Sequence, residues 1–313
     1  MHNNDNFDGW TILGAGAIGC LWATKLYREE VSVSLLFKND NSLAQYKTAG
    51  GITLAGREQT LFQIPAASIQ SSRAVISHLL VCTKSHQTID ALSSLDSLID
   101  ENTVIVILQN GMGVAEKLTK LIPDNPLFLA STTGGANLSI PFTVNAAGEG
   151  KTTLGAYHQS QQALSEAITA LLPQQPSPIA VSDNIHTQLW LKLAINCIIN
   201  PLTAVSNRRN GDLLKDNELI RKMRLMAKEI STVAKACGQN IDEKILFNSA
   251  SVIAQDTANN ISSMLQDVRA KRETEIDFIN GYIKRQAILY GIATPLNNSL
   301  IQQVQDLHQQ DKN

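Results

Sequence analysis

The sequence predicts an α/β domain built on a mostly parallel sheet over residues 1–183, followed by an all-α domain over 184–313. Three observations carry this. Short apolar runs alternate with helical stretches through the first part, and strand signals stop beyond Asp183. A nearly unbroken apolar segment, QLWLKLAINCIINPLTAV at 188–205, then opens a series of helices. A chain of 313 residues can bury two separate cores.

The first expected strand, 10–13, runs into GAGAIG, with Gly14, Gly16 and Gly19 separated by Ala15, Ala17 and Ile18, and a helical run at 20–26 follows. In such a turn the first glycine bends the chain, the second lets backbone approach a pyrophosphate, and the third packs helix on strand. The phosphates lie at the positive helix end. Alone, the pattern also fits a glycine-rich turn that binds nothing. Its setting strengthens it, because a second strand at 31–37 arrives at the expected distance. Just past that strand, a carboxylate would accept the ribose 2′-hydroxyl of NAD and a cation would suit the 2′-phosphate of NADP. Lys38 stands there, favouring NADP, while Asp40 competes and a solvated surface lysine is the plainer reading.

A strand pair is expected at 51–54 and 61–64, then a buried strand at 75–82 ending at Thr83-Lys84, which places Lys84 where open parallel sheets bind ligands. A helix at 88–99 and a strand at 104–108 lead to Gln109-Asn110-Gly111-Met112-Gly113. Asn110 can reach a cofactor there or simply begin an Asn-Gly turn. A strand at 127–130 precedes the small, polar TTGGA at 132–136, and short strands at 142–145, 152–154 and 178–181 surround a helix at 161–172. Helices are expected at 213–237, 243–258 and 274–290, with helical character persisting to the end.

Within 188–205 the polar side chains Lys192, Asn196 and Asn200 recur every four residues, and on a helix they fall in an arc of roughly 80°. An ammonium and two amides on an apolar body need partners, since desolvating them unpaired is costly. A structural network between helices or a bound ligand would each satisfy them.

Composition narrows the partner. With 26 Lys and Arg against 28 Asp and Glu, net charge is −2 and no run of like charges appears. A nucleic-acid or membrane footprint is therefore not expected, and a small molecule is. The four cysteines show no C-x-x-C and sit among apolar neighbours, which fits reduced thiols and a cytoplasmic location, and the six histidines show no metal-ligand spacing. No window approaches a membrane span, and 1–9 lacks the apolar core of a signal peptide.

Three longer strings, NGMG at 110–113, LWLKLAINCIINPLTA at 189–204 and NISSMLQDVRAKRETEIDFINGY at 260–282, resemble the 2-dehydropantoate 2-reductase (ketopantoate reductase) family, and the likeness runs from the glycine loop to about Pro295. The resemblance implies NADPH-dependent reduction of ketopantoate to pantoate, on the route to pantothenate and coenzyme A. It implies a Rossmann-type domain joined to a helical domain similar to that of 6-phosphogluconate dehydrogenase, working as a monomer or homodimer. By this resemblance Lys192 is the proton donor, and Asn196, Asn200, Asn210, Ser263, Met264, Leu265 and Gln266 are substrate-binding positions. Gly14 to Gly19, Lys84, Asn110, Ala136 and Glu275 match cofactor positions. One departure is Lys38, where well-known members carry arginine, so a point charge replaces a bidentate fork. The stretch Met1 to Phe7 also lies outside the pattern.

These residue types suit the reaction. Hydride arriving at a ketone carbon leaves an alkoxide, which a positioned acid neutralises as it forms. Lys192 can give that proton if burial lowers its pKa. Asn196, Asn200 and Ser263 offer neutral hydrogen bonds. Glu275, expected in the first turn of a helix, would hold Lys192 or a ribose hydroxyl, or be an ordinary first-turn carboxylate. The alternatives are a reductase of another branched 2-oxo acid, an opine-type dehydrogenase, and a non-catalytic NADPH sensor.

Overall fold

The structure is a computed structural model that describes residues 9–56, 58–148 and 150–310; the stretch Met1 to Phe7 lies outside the described residues. The chain forms two compact units, one of Met1–Gln109 with Val114–Ile185, the other of Asn110–Gly113 with His186–Asn313. The boundary thus falls after Ile185, and the NGMG segment groups with the helical unit, although it was expected on the nucleotide side.

The first unit grows from apolar strands that are buried along their length. β1 (Trp10–Leu13) is covered at all four positions. It pairs in parallel with β2 (Val33–Phe37) and β6 (His78–Val81). Beyond β2 lies β5 (Ala66–Ser68), and beyond β6 lie β7 (Val104–Leu108) and β8 (Leu127–Thr132), all parallel. β11 (Thr152–Ala156) pairs antiparallel with β8, and β12 (Ala180–Val181) pairs parallel with β11. Among the described residues this gives an eight-stranded sheet in the order β12-β11-β8-β7-β6-β1-β2-β5. A second, four-stranded sheet has the order β4-β3-β10-β9, with β3 (Ile52–Ala55), β4 (Thr60–Phe62), β9 (Ala136–Ile140) and β10 (Thr143–Ala146). The helices are α1 (Ala17–Arg28), α2 (Asp40–Ala49), α3 (Thr88–Ser93), α4 (Ala115–Leu121) and α5 (Ser165–Ala170). α1 packs on β2 and on the small sheet, and Trp10, Leu26, Leu35, Ile52 and Phe128 fill the core between them.

The helical unit contains α6 (Ile185–Ser206), α7 (Asn217–Ala236), α8 (Glu243–Asp256), α9 (Ser263–Arg269), α10 (Asn280–Leu289) and α11 (Pro295–Gln310). α6 meets the length and apolarity of a membrane span, contrary to the expectation that no window would, but 67% of that window is buried inside the protein. Its apolar side chains, from Trp190 to Leu202, form the core with Met223, Ile230, Leu246 and Ile283.

Several expected helices differ, and local chemistry explains why. The stretch 213–237 resolves into a 3-10 turn at Asn210–Lys215 and then α7, because Asp216 accepts hydrogen bonds from Glu218 N and Leu219 N and so starts the helix anew. The stretch 161–172 likewise divides into a 3-10 turn at Gln159–Leu164 and α5. α3 stops at Ser93, with Ser94 as its C-cap, six residues short of the expected end. The helix expected from Thr274 begins only at Asn280: residues 275–279 are a turn in which Phe278 N and Ile279 N donate to Glu275 O. The element α2 is an addition that its low apolar content conceals, as are α4, α9, β5 and β9, while α11 falls where helical character was expected to persist.

Candidate active site

The glycine loop is shaped by close contacts at two glycines and by open space at the third. Gly14 holds φ +104°, and a Cβ there would meet Thr83 N at 2.6 Å; one on Gly19 would meet Gly14 O at 1.9 Å. These positions accept no side chain. Gly16 differs, since it is exposed and a Cβ there would meet nothing within 4 Å. Gly16 is also the N-cap of α1 and supplies no side-chain cap, leaving the first helical N–H groups at Ala17 to Gly19 to be satisfied by something else. Open space before uncapped N–H groups at a positive helix end fits a dinucleotide pyrophosphate.

Lys38 is exposed at the end of β2. The competing carboxylate nearby is engaged: Asp40 Oδ1 accepts a hydrogen bond from Ser68 Oγ, and Ser68 is fully buried at the end of β5. Asn39 is likewise spent capping α2, accepting from Ser42 N at 2.9 Å. Lys84 follows β6 in extended backbone, with its carbonyl accepting from Thr88 Oγ1 at 3.1 Å. A residue that sequence reasoning passed over, Gln109, ties this turn to the neighbouring strand end. Its Nε2 donates to Thr83 O at 2.9 Å, to Thr83 Oγ1 at 3.1 Å and to Thr88 Oγ1. A polar side chain closing the buried run VIVIL was the available signal. Ala136 opens β9 in the small sheet, opposite Ala146.

The helical unit holds the second cluster. Lys192 is half-buried on α6, and burial lowers its pKa from 10.5 to about 8 against the opposing pull of the Glu275 carboxylate. Glu275 itself is 6% exposed. It lies five residues before α10 begins, so an α10 dipole does not explain it, and its charge acts on Lys192, whose pKa it raises against burial. Asn196 and Asn200 share the face of Lys192, the first partly exposed and the second buried. The same unit gathers Asn110: Gly111 and Gly113 adopt φ +84° and +101°, which lets Met112 N donate to Phe278 O at 2.8 Å, three residues from Glu275. The NGMG segment joins the helical unit through that bond and through Met112, which packs against its core.

Ser263, exposed in the first turn of α9, is brought to α6 by a 2.7 Å hydrogen bond between the hydroxyls of Thr203 and Ser262. Its neighbours are used otherwise. Met264 and Leu265 are 2% and 1% exposed core residues, and Gln266 Nε2 folds back onto Ile261 O at 2.8 Å. Their side chains are thus engaged in packing and in the local turn. Asn210 is buried with Nδ2 donating to Thr257 Oγ1 at 2.9 Å, which fastens the end of α8 ahead of α9. Among the described residues no group of histidine, cysteine, aspartate and glutamate is arranged to hold a metal.

A helix start suited to a pyrophosphate, in the first unit, and a lysine whose pKa burial lowers, in the second, are features that a nucleotide-dependent oxidoreductase requires. The chain belongs to the ketopantoate reductase family: the model described as Ketopantoate reductase PanE/ApbA matches residues 10–159, and its C-terminal counterpart matches 184–308. A 2-dehydropantoate 2-reductase from Shigella flexneri is 33% identical over 298 residues, covering 94% of this chain and 93% of its own. Among solved structures, a PanE/ApbA family ketopantoate reductase from Ralstonia eutropha superposes with a TM-score of 0.87 at 25% identity, covering 97% of this chain and 99% of its own. A D-mandelate dehydrogenase described with NADH and anilino(oxo)acetate superposes with a TM-score of 0.90 at 24% identity over the same shares of the two chains. The protein is an oxidoreductase acting on CH–OH groups, with the Rossmann-type domain and helical domain of this family.

Proposed function

We propose that the protein is an NADPH-dependent 2-dehydropantoate 2-reductase in the cytoplasm, forming pantoate on the route to pantothenate and coenzyme A, with Lys192 as the proton donor. The observation that carries this reading is the lysine on α6 whose pKa burial lowers to about 8, beside the buried Glu275. At neutral pH such an amine is mostly protonated, yet it is a far stronger acid than an ordinary lysine, as a general acid requires. When bound, NADPH supplies the hydride to the ketone carbon. Lys192 delivers the proton to the oxygen, and Glu275 sustains the ammonium form against desolvation. Asn196, Asn200 and Ser263 orient the hydroxyl and carboxylate of the substrate through neutral hydrogen bonds, which add no further charge to the site.

The preference for NADPH is supported by the exposed Lys38 at the end of β2, and Asp40, the competing carboxylate, has one oxygen held by Ser68. Glycine-loop residues would hold the pyrophosphate, with Lys84, Ala136 and Asn110 as further contacts. The D-mandelate dehydrogenase likeness, at 24% identity, bears on the fold and leaves this choice to residues of this chain.

Oxidation of NADPH followed by absorbance, with ketopantoate beside a panel of other branched, aromatic and unbranched 2-oxo acids, tests the reading. Ketopantoate should give the highest kcat/KM. A larger value for another member of the panel would reassign the substrate, and no turnover with any would leave the sensor. The cofactor half is tested by Lys38→Ala, which should weaken NADPH by on the order of 1–3 kcal/mol and leave NADH nearly unchanged. Equal losses for both would remove Lys38 from the 2′-phosphate.

A further inference from the structure

Proline interrupts α6 at Pro201, inside the helix that carries Lys192, Asn196 and Asn200. A proline has no N–H, so the carbonyl four residues earlier, that of Cys197, loses its helical donor. The carbonyl is not abandoned: Asn280 Nδ2 donates to Cys197 O at 3.0 Å. The other Nδ2 hydrogen goes to Asn297 Oδ1 at 2.9 Å, and Asn297 Nδ2 returns a bond to Asn280 O at 3.1 Å. A backbone carbonyl can only accept, so the orientation of the Asn280 amide is settled by its partner. Asn297 is held in turn, because the Glu229 carboxylate accepts from Leu296 N and Asn297 N at 3.0 and 2.9 Å.

Both asparagines are fully buried, and Asn280 Oδ1 has no hydrogen-bond partner. A buried acceptor without a partner costs stability, so an asparagine here needs a justification other than stability alone. Register supplies one. Lys192 and Cys197 are five residues apart on α6, as are Glu275 and Asn280 on the segment against it. Lys192 interacts with Glu275 at one end and Cys197 with Asn280 at the other, while Phe278, between them, holds Met112 of the Asn110 segment.

We propose that Asn280 is a positioning residue for the lysine centre: by donating to the carbonyl that Pro201 strands, it sets the register of residues 275–280 along α6, and with it Glu275 against Lys192. The effect on turnover rests on the reductase reading above; the effect on α6 does not. The Pro201→Ala substitution restores a backbone donor for Cys197 O and should make the asparagine dispensable.

Four proteins decide the matter: the parent, Asn280→Ala, Pro201→Ala and the double variant. Asn280→Ala should lower kcat with ketopantoate about tenfold or more, with NADPH affinity within threefold of the parent, and the double variant should recover most of the loss. A residue that only holds the fold would lower Tm and leave kcat of the folded protein unchanged, and that result overturns the proposal. Should Asn280→Ala not fold, the comparison is made within the Pro201→Ala background, where adding Asn280→Ala should cost less than about threefold in kcat; a loss of tenfold or more there also overturns it. Hydrogen–deuterium exchange over 192–205 needs no substrate, and it should quicken in Asn280→Ala and slow again in the double variant. Unchanged exchange sinks the positioning role, whereas altered exchange in a protein inactive on every 2-oxo acid sinks only the substrate reading.

Discussion

At the scale of the residue, Lys192 sets stability against chemistry. A pKa of about 8 in place of 10.5 means that the folded protein disfavours the ammonium, by on the order of 1–3 kcal/mol once solvent screening of a partly exposed side chain is allowed for. The penalty is fully present below about pH 8, where folded and unfolded chains both carry the proton. It vanishes as pH rises to the unfolded value of 10.5, above which neither does. Lys192→Met should therefore raise stability to denaturant at pH 7, and its advantage over the parent should shrink by pH 10. The same variant should lose roughly 10²- to 10⁴-fold in kcat. Reduction by the parent should fall as pH rises through about 8, and Glu275→Gln, which removes the charge that raises the lysine pKa, should move that limb to lower pH. A limb that stays in place would separate Glu275 from the proton donor.

At the scale of the element, the glycine loop offers two substitutions of equal size and opposite expectation. Gly19→Ala drives a methyl into Gly14 O and should unfold or badly destabilise the first unit. Gly16→Ala points into open space and should fold with little change in Tm, yet bind NADPH at least tenfold more weakly, which titration of cofactor fluorescence would measure. If Gly16→Ala bound NADPH as tightly as the parent, the pyrophosphate site would lie elsewhere. Elements of this kind were legible in the sequence where one physical signal dominated. β1 and β7 match the expected 10–13 and 104–108 because each is an apolar run stopped by a glycine turn or a polar pair, and α6 showed its stripe through four-residue spacing. The helix at 274–290 began late because Ile279 leaves helical backbone, at φ −98° and ψ −89°, which no side-chain periodicity records. Lys192 was conspicuous by its setting, whereas its coupling to Glu275, 83 positions on, has no local signature: the family resemblance marked Glu275 as a cofactor position, and holding Lys192 was one of two roles its charge allowed. Met264 and Leu265 matched a motif whose side chains the fold spends on its core.

At the scale of the whole molecule, the division into units does not follow the order of the chain. Four residues, Asn110 to Gly113, leave the first unit after β7 and belong with the helical one, and α4 then resumes the first. Met112→Ala should thus loosen a region far along the sequence. We expect about 1–2 kcal/mol of lost stability, the lower range for a partly buried methionine, and faster amide exchange around 276–283. Exchange changes confined to 105–118 would show that the segment answers to its chain neighbours instead.

This arrangement also sets an order of events on the ribosome. The first unit has all its sequence once residue 185 is made, but the carbonyl that Met112 N–H requires is on Phe278, about ninety residues later. At ~5–20 residues per second, the sheet has on the order of 5–20 s in which to form before that partner exists. During the interval the glycine-flanked turn that bears Asn110 is without its anchor, so the sheet of the first unit emerges first and this turn is completed last, when the helical chain arrives to receive it.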